Sequence, residues 1–293
     1  MDIGVRCKRR FKSKQKYCHM HQKNKKNKKN KKNISSTTFE YDDLIGEGSF
    51  GCIYKPPLKC VDEPNLNKKY DKDVMKFMND NEYARAEKCI SNIINRIDPD
   101  QEYFIALSKD QCTINMEIEK GQINACRNYK RSAMKNKFIG FFIKNGGITL
   151  SRYIILNQNN VNSIHNIFKI MLHLFRGLSI LHKNNIVHRD LKANNIVVSR
   201  DNIARIIDFG QAKIINVNDK DYKKKIYEDI DDLMISFFGI KSFCWEQSEK
   251  WKIVYENYTT LKYKIIENRQ KYNITIEEII EYINNRIMPY IKE

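Results

Sequence analysis

An α+β fold in two lobes, strands first and helices after, is what this 293-residue sequence predicts. Three observations lead there. Residues 37–58, "TTFEYDDLIGEGSFGCIYKPPL", show strand-like alternation on both sides of a glycine turn, and "KDVMKFM" follows as a further short strand. Residues 163–185, "SIHNIFKIMLHLFRGLSILHKNN", put Ile167, Ile170, Met171, Leu174, Leu178 and Leu181 on one face of a long helix. Between that helix and further helices lies "IVHRDLKANNIVV", residues 186–198, in which β-branched flanks enclose His188, Arg189, Asp190, Lys192, Asn194 and Asn195. Short strands that pin such a polar stretch against a core make a loop fit to carry chemistry. A β-rich first part and a helix-rich second part are an α+β arrangement.

The elements follow in order. "DNEYARAEKCISNIINRIDP" has a helical pattern through Ala86, Ile90, Ile93, Ile94 and Ile97, stopped by Asp98-Pro99. Residues 103 to 143 read as further strands, with a polar, cysteine-containing loop around 109 to 136. "FIGFFIKNGGITL" is an apolar strand entering a Gly-Gly turn, and "IARIIDFG" is β-like. Helices finish the chain.

With 41% hydrophobic residues the chain can bury a sizeable core. Its net charge of +18 is uneven: residues 1–33 hold 14 Lys/Arg against one Asp. "NKKNKKNKKN" has no apolar member and is read as a disordered tail that attaches to nucleic acid or acidic surfaces, although an AT-rich genome would produce the same Lys/Asn tract. No apolar run approaches the ~18 residues of a membrane span, and "MDIGVRCKRR" has no secretory character. The eight cysteines show no paired spacing in the body, which predicts an intracellular, reducing compartment rather than a disulfide framework. Cys7, Cys18 and His21 are candidate ligands for a zinc ion in the tail, three of the four that a structural site wants.

The glycines Gly46, Gly48 and Gly51 would mark a dinucleotide fold only if they opened a helix. Here Cys52-Ile53-Tyr54 and then Lys55-Pro56-Pro57 follow, so they belong to a hairpin whose backbone N–H groups can approach phosphates. Lys76, between apolar residues of a presumed central strand, needs an anionic partner, with Glu87 the first candidate and Glu82 the next. Asp190 is a candidate base or orienter of a hydroxyl nucleophile, and Lys192, two residues on, can neutralise a transferring phosphoryl group. Asn195 and Asp208 are candidate Mg²⁺ ligands, one neutral oxygen and one carboxylate.

These motifs, in this order, resemble those of eukaryotic-type Ser/Thr protein kinases, of the divergent kind found in large DNA viruses. The resemblance runs from about Phe39 to Ile235. It implies a bilobal protein-kinase-like fold over 39–293, with an N-lobe at about 39–143 and a compact C-lobe at about 148–293, after a tail over 1–38. It implies ATP and Mg²⁺ as cofactors and a protein Ser or Thr hydroxyl as acceptor. By the resemblance Asp190 is the catalytic base, supported by Lys192, and Asn195 and Asp208 hold Mg²⁺. Lys76 binds phosphate with Glu87 as partner, residues Ile45, Gly46, Glu47, Gly48, Ser49, Phe50, Gly51, Cys52 and Ile53 cover the nucleotide, and Phe142, Ile143 and Lys144 form the hinge that reads adenine.

The sequence departs from the family after Gly210. Only 18 residues run from Gln211 to Glu228, where the helix "EDIDDLMISF" begins, with no "APE" and no Ser or Thr among them. In ordinary protein kinases this segment forms the platform that holds a peptide substrate, and the resemblance implies a reduced one, as in RIO kinases and the small kinase of the KEOPS complex. Asp229 or Asp232 is expected to brace the catalytic loop. A compact atypical kinase or ATPase in a nucleic-acid complex, and a pseudokinase scaffold, are the alternative functions.

Overall fold

A computed structural model describes residues 44–48, 50–116, 119–127, 129, 137–157, 161–237 and 249–291. All belong to one compact unit, Asp42–Glu293. Cys7, Cys18, His21 and Ser49 lie outside the described residues.

The first lobe is a five-stranded antiparallel sheet: β1 (Leu44–Glu47), β2 (Gly51–Tyr54), β3 (Val74–Asn79), β4 (Gln111–Thr113) and β5 (Phe138–Ile143), in the order β1-β2-β3-β5-β4. A short helix, α1 (Pro64–Lys69), lies between β2 and β3. Alternation gives the central strand two faces. Met78 packs with Phe141, Leu107 and Ala84 of α2 (Glu82–Ile97) on the inner face. Met75 and Phe77 pack on the outer face with Tyr54, Ile114, Ile123 and Phe142.

Helix α2 starts where Asn81 accepts a bond from the Ala84 N–H at 3.1 Å and ends at Asp98. The Asp98 carboxylate then receives the N–H groups of Glu102, Tyr103 and Phe104 at 2.8–2.9 Å. Phe104 in turn bridges to Ile206 of the second lobe.

The outer face is where the sequence reading needs correction. Among the described residues of 103 to 143 there are two strands rather than a run of them, and part of the polar loop folds over the sheet through α3 (Lys120–Ile123). Two disulfides, Cys52–Cys126 and Cys60–Cys112, fasten it, so the expectation of unpaired cysteines in the body fails. Their separations of 74 and 52 residues leave no local spacing to notice. By the chain-entropy argument, loops of that size give on the order of 4 kcal/mol each, taken singly.

The second lobe begins with β6 (Ile148–Thr149) and α4 (Leu150–Asn157), then α5 (Val161–Lys183). Leu174, Phe175, Leu178 and Leu181 of α5 are buried at the centre of the largest core. Strands β7 (Ile186–Val187), β8 (Ile196–Val198), β9 (Ala204–Ile206) and β10 (Lys213–Ile214) form two small sheets, β6-β8-β9 and β7-β10, on either side of the polar loop. Helix α6 (Tyr222–Ser236) follows after a segment even shorter than the sequence suggests. The last residues carry no recognisable motif, yet they complete the core. Helices α7 (Glu249–Glu267) and α8 (Ile276–Tyr282), with the π-helical turn Ile283–Ile287, bury Val254, Leu261, Ile265, Ile279, Ile283 and Ile287 against α5 and α6. A capping box of Thr275 and Glu278 starts α8. Among the described residues, no helix is long and apolar enough to cross a membrane.

Candidate active site

The lobes enclose a cleft of about 1070 Å³. Its roof is the β1–β2 hairpin, where the Gly48 N–H donates to the Gly51 carbonyl at 2.9 Å. A Cβ on Gly51 would collide with the Phe77 carbonyl oxygen and the Met78 side chain, so the strand pairing there admits only glycine. Ile45, Gly46, Glu47, Gly48, Phe50, Gly51 and Ile53 line the cleft. Cys52 does not. The two-residue period of β2 turns it with Tyr54 to the outer face, where it is buried and bonded to Cys126. Cys52, Cys126 and Glu47 come within metal-ligand range of one another, but sulfurs bonded to each other offer no thiolate to an ion.

Lys76 projects from β3 into the back of the cleft. Its ammonium donates to Glu87 Oε1 and Oε2 at 2.6 and 2.8 Å and to Asp208 Oδ1 at 2.8 Å. Glu87, rather than Glu82, is thus its partner. Burial disfavours the ammonium, but the two carboxylates outweigh it and hold the Lys76 pKa above its ordinary value. Burial likewise pushes Asp208 up, and the charge of Lys76 more than reverses this, so its carboxyl sits below the ordinary range. Asp208 is held at φ 64°, a left-handed backbone just before Phe209-Gly210. Phe209 is buried against Phe104 and His188 and anchors that turn.

The polar loop is held from below. Asp229 of α6, fully buried, receives the N–H groups of His188 and Arg189 at 2.7 and 2.8 Å and contacts His182 Nε2 at 3.2 Å. Of the two expected candidates, therefore, Asp229 braces the loop. Arg189 adopts φ 66° and lies beside the Gln211 carbonyl at 3.5 Å. Above this brace, Lys192 Nζ donates to both Asp190 oxygens at 2.7 and 2.8 Å. Asn195 Nδ2 donates to the Asp190 backbone carbonyl and to its Oδ2, both at 2.9 Å. With that amide nitrogen engaged, Asn195 has its neutral Oδ1 for a cation, and the carboxylate of Asp208 lines the same cleft. Two hard oxygen donors of this kind fit Mg²⁺.

Removing the brace has a measurable cost. Asp229→Ala leaves one buried and one part-buried N–H donor without an acceptor and is expected to lower stability by about 3 kcal/mol, with turnover falling as the loop loosens. A thermal melt and an initial-rate assay read both effects, and an unchanged melting temperature would contradict the brace.

Asp232, one turn further along α6, behaves differently. Burial pushes its carboxyl up to about 6, and Asp229, Asp231, Glu228 and Asp190 push the same way. Between the ordinary 3.8 and about 6 the folded chain keeps a proton that the unfolded chain has released. Stability from this group therefore falls as pH rises through that window, and the penalty persists above it. Asp232→Asn is expected to add about 1 kcal/mol near pH 7.5, discounted for partial exposure, and almost nothing near pH 4. Denaturant melts at the two pH values check this.

Of the three residues expected to form the hinge, Ile143 and Lys144 line the cleft, with Asn145, Gly146 and Gly147. Phe142 does not line it: its ring is buried in the outer-face core, stacked on Tyr70 at 4.4 Å, and its carbonyl accepts the Ser108 N–H at 2.9 Å. The apolar walls, Val74, Ile105, Ala106, Leu107 and Val197, were not foreseen, nor was Arg127 at the mouth. Val74 and Val197 sit within the "DVMKF" and "NNIVV" runs and were legible there; Arg127 carries no local signal.

A glycine hairpin over a cleft, a buried Lys–Glu pair, an Asp208 bonded to that lysine and a braced Asp/Lys/Asn loop together mark a bilobal, kinase-like fold. The sequence profile of the protein kinase domain matches residues 39–229, and the chain belongs to that family. It is 24% identical over 190 residues to a probable serine/threonine-protein kinase MRK1 homolog of Encephalitozoon cuniculi, covering 64% of this chain and 49% of that protein. It is 24% identical over 182 residues to the serine/threonine-protein kinase PLK4 of Nematostella vectensis, covering 62% of this chain and 16% of that one. Identity reaches 39% over 57 residues with the serine/threonine-protein kinase STY46 of Arabidopsis thaliana, 20% of this chain and 10% of that protein. The chain thus spans less than half the length of these relatives.

Proposed function

We propose that this chain is an ATP- and Mg²⁺-dependent kinase that transfers the γ-phosphoryl group of ATP to a Ser or Thr hydroxyl of a protein. The observation that carries the reading is the joint placement of Lys76, Glu87 and Asp208 in one ion-pair network, facing Asp190, Lys192 and Asn195 across the cleft. Asp190 orients the acceptor hydroxyl and takes its proton as transfer proceeds. Lys192, already drawn to Asp190, offsets charge on the transferring group, and Lys76 holds the phosphates in line. Mg²⁺, held by Asn195 and Asp208, would neutralise charge on the phosphate oxygens. The glycine hairpin covers the phosphates, and Ile143 and Lys144 meet the base.

The short segment after Gly210 holds no Ser or Thr whose phosphate Arg189 could pair with, and Tyr222 and Tyr227 are its only hydroxyls, so activity is expected to be independent of phosphorylation there. The kinase domain extends over 39–293 with a basic tail over 1–38. Contact of that tail with nucleic acid, and zinc at Cys7, Cys18 and His21, rest on composition and spacing alone.

The test is incubation of the purified chain, with and without phosphatase treatment, with Mg²⁺, γ-labelled ATP and a generic basic acceptor protein. Label on Ser or Thr, unchanged by phosphatase, is the expected result. ATP hydrolysis without labelled protein would make the chain an ATPase, and nucleotide binding with neither would make it a scaffold.

A further inference from the structure

The segment between β4 and β5 does more than cover the sheet. Its far end reaches the glycine hairpin, where Arg127 donates from its backbone N–H to Glu47 Oε1 at 2.6 Å and from Nε to Oε2 at 2.9 Å. Glu47 stands between Gly46 and Gly48, and both Glu47 and Arg127 line the cleft. The residue before Arg127 is Cys126, bonded to Cys52, and Cys52 is the cross-strand partner of Glu47. One covalent bond and two hydrogen bonds thus join the same two short stretches.

An exposed ion pair ordinarily contributes little, because ordering two long side chains offsets the attraction. The Arg127 side chain is 77% exposed and the Glu47 side chain only 22%, although Glu47 as a whole residue, backbone included, is exposed. Half of the contact comes from a backbone N–H whose place the adjacent disulfide sets, so much of the ordering cost is met before the pair forms. A glycine turn also needs such a hold. Its N–H groups bind phosphate well only when they point together, and glycines leave that arrangement entropically loose.

We propose that Arg127 is a positioning residue for nucleotide binding: through Glu47 it keeps the glycine hairpin in its phosphate-covering geometry, and the Cys52–Cys126 disulfide keeps Arg127 in place. The proposal rests on the nucleotide-binding reading above. A dithiol reductant transfers two electrons and two protons to this disulfide, giving two thiols while closing to its own cyclic disulfide. The covering segment is then released at its hairpin end, and nucleotide affinity falls.

The experiment compares the full chain with Arg127→Gln, Arg127→Lys and the Cys52→Ser/Cys126→Ser double variant, which spares Cys60–Cys112. Mg²⁺·ATP affinity is measured by calorimetry, and amide hydrogen exchange of residues 46–51 is measured without nucleotide. Arg127→Gln and the double serine variant are each expected to bind about fivefold more weakly and to exchange faster at the hairpin, with kcat within about twofold and Arg127→Lys recovering most of the loss. Adding Arg127→Gln to the double variant should change little. Equal affinity and exchange in wild type and Arg127→Gln would overturn the proposal and leave the kinase reading standing. Full additivity of the two changes would also overturn it, since the disulfide would then act independently of Arg127. A wild type that binds no ATP would sink the kinase reading, while the exchange data would still decide the clamp.

Discussion

Asp190→Asn lowers phosphoryl transfer by about 10³-fold, within the range that a positioned general base supplies, and leaves Mg²⁺·ATP affinity within about twofold. The substitution is nearly isosteric. Asn195 can still donate to a side-chain oxygen at position 190, and the backbone carbonyl that also receives Asn195 is untouched. What disappears is the anion that draws Lys192 and that, on the proposed reading, would receive the acceptor's proton. Neither role concerns the nucleotide in its ground state, which is why affinity and rate separate. Single-turnover rates beside equilibrium binding read the two quantities. Near-normal transfer by the variant would mean that another group accepts the proton.

Lys76→Met is expected to act on stability as well as on catalysis. It leaves Glu87, almost entirely buried, and Asp208 without their shared cation, a type of loss that costs about 3 kcal/mol or more. Affinity for ATP and turnover should fall together, in contrast to the Asp190 variant. The pH dependence distinguishes this from simple loss of packing. Without Lys76, burial raises the Glu87 pKa unopposed, so the folded variant binds a proton that the unfolded chain releases. The variant therefore recovers stability as pH falls toward the ordinary carboxylate value, 4.5, and loses it as pH rises. Melts across that range check the sign, and a pH-independent deficit would argue against an unpaired carboxylate.

Much of the site was legible because its residues are contiguous. Asp190, Lys192 and Asn195 fall within one loop between two short strands, and the glycines fall within one hairpin, so local pattern and site coincide. Lys76 and Glu87 were legible for a different reason: a lysine inside an apolar strand demands a carboxylate, and the next helix supplies one. Legibility failed where alternation decides. Cys52 and Phe142 belong to the right strands, but each points to the outer face. It failed again between Asp229 and Asp232, three apart on one helix, where only packing against the loop picks the brace. The disulfides were hidden by distance along the chain, since only the folded sheet brings Cys52 to Cys126 and Cys60 to Cys112. The covering segment has too little periodicity to show that it covers anything.

The three amides gathered by Asp98 have a mechanical meaning. They tie the last turn of α2 to the stretch that bridges to Ile206, so this end of the helix is fastened to the second lobe while its other end rides on the first. A movement of α2 that kept these bonds would be a swing about Asp98. At 1.5 Å per residue, Glu87 stands about 16 Å along that lever from Asp98. A rotation of about 15° would carry its carboxylate about 4 Å, more than the reach of its bond to Lys76. Were α2 to turn about Asp98, small rotations there would make or break the contact between Glu87 and Lys76.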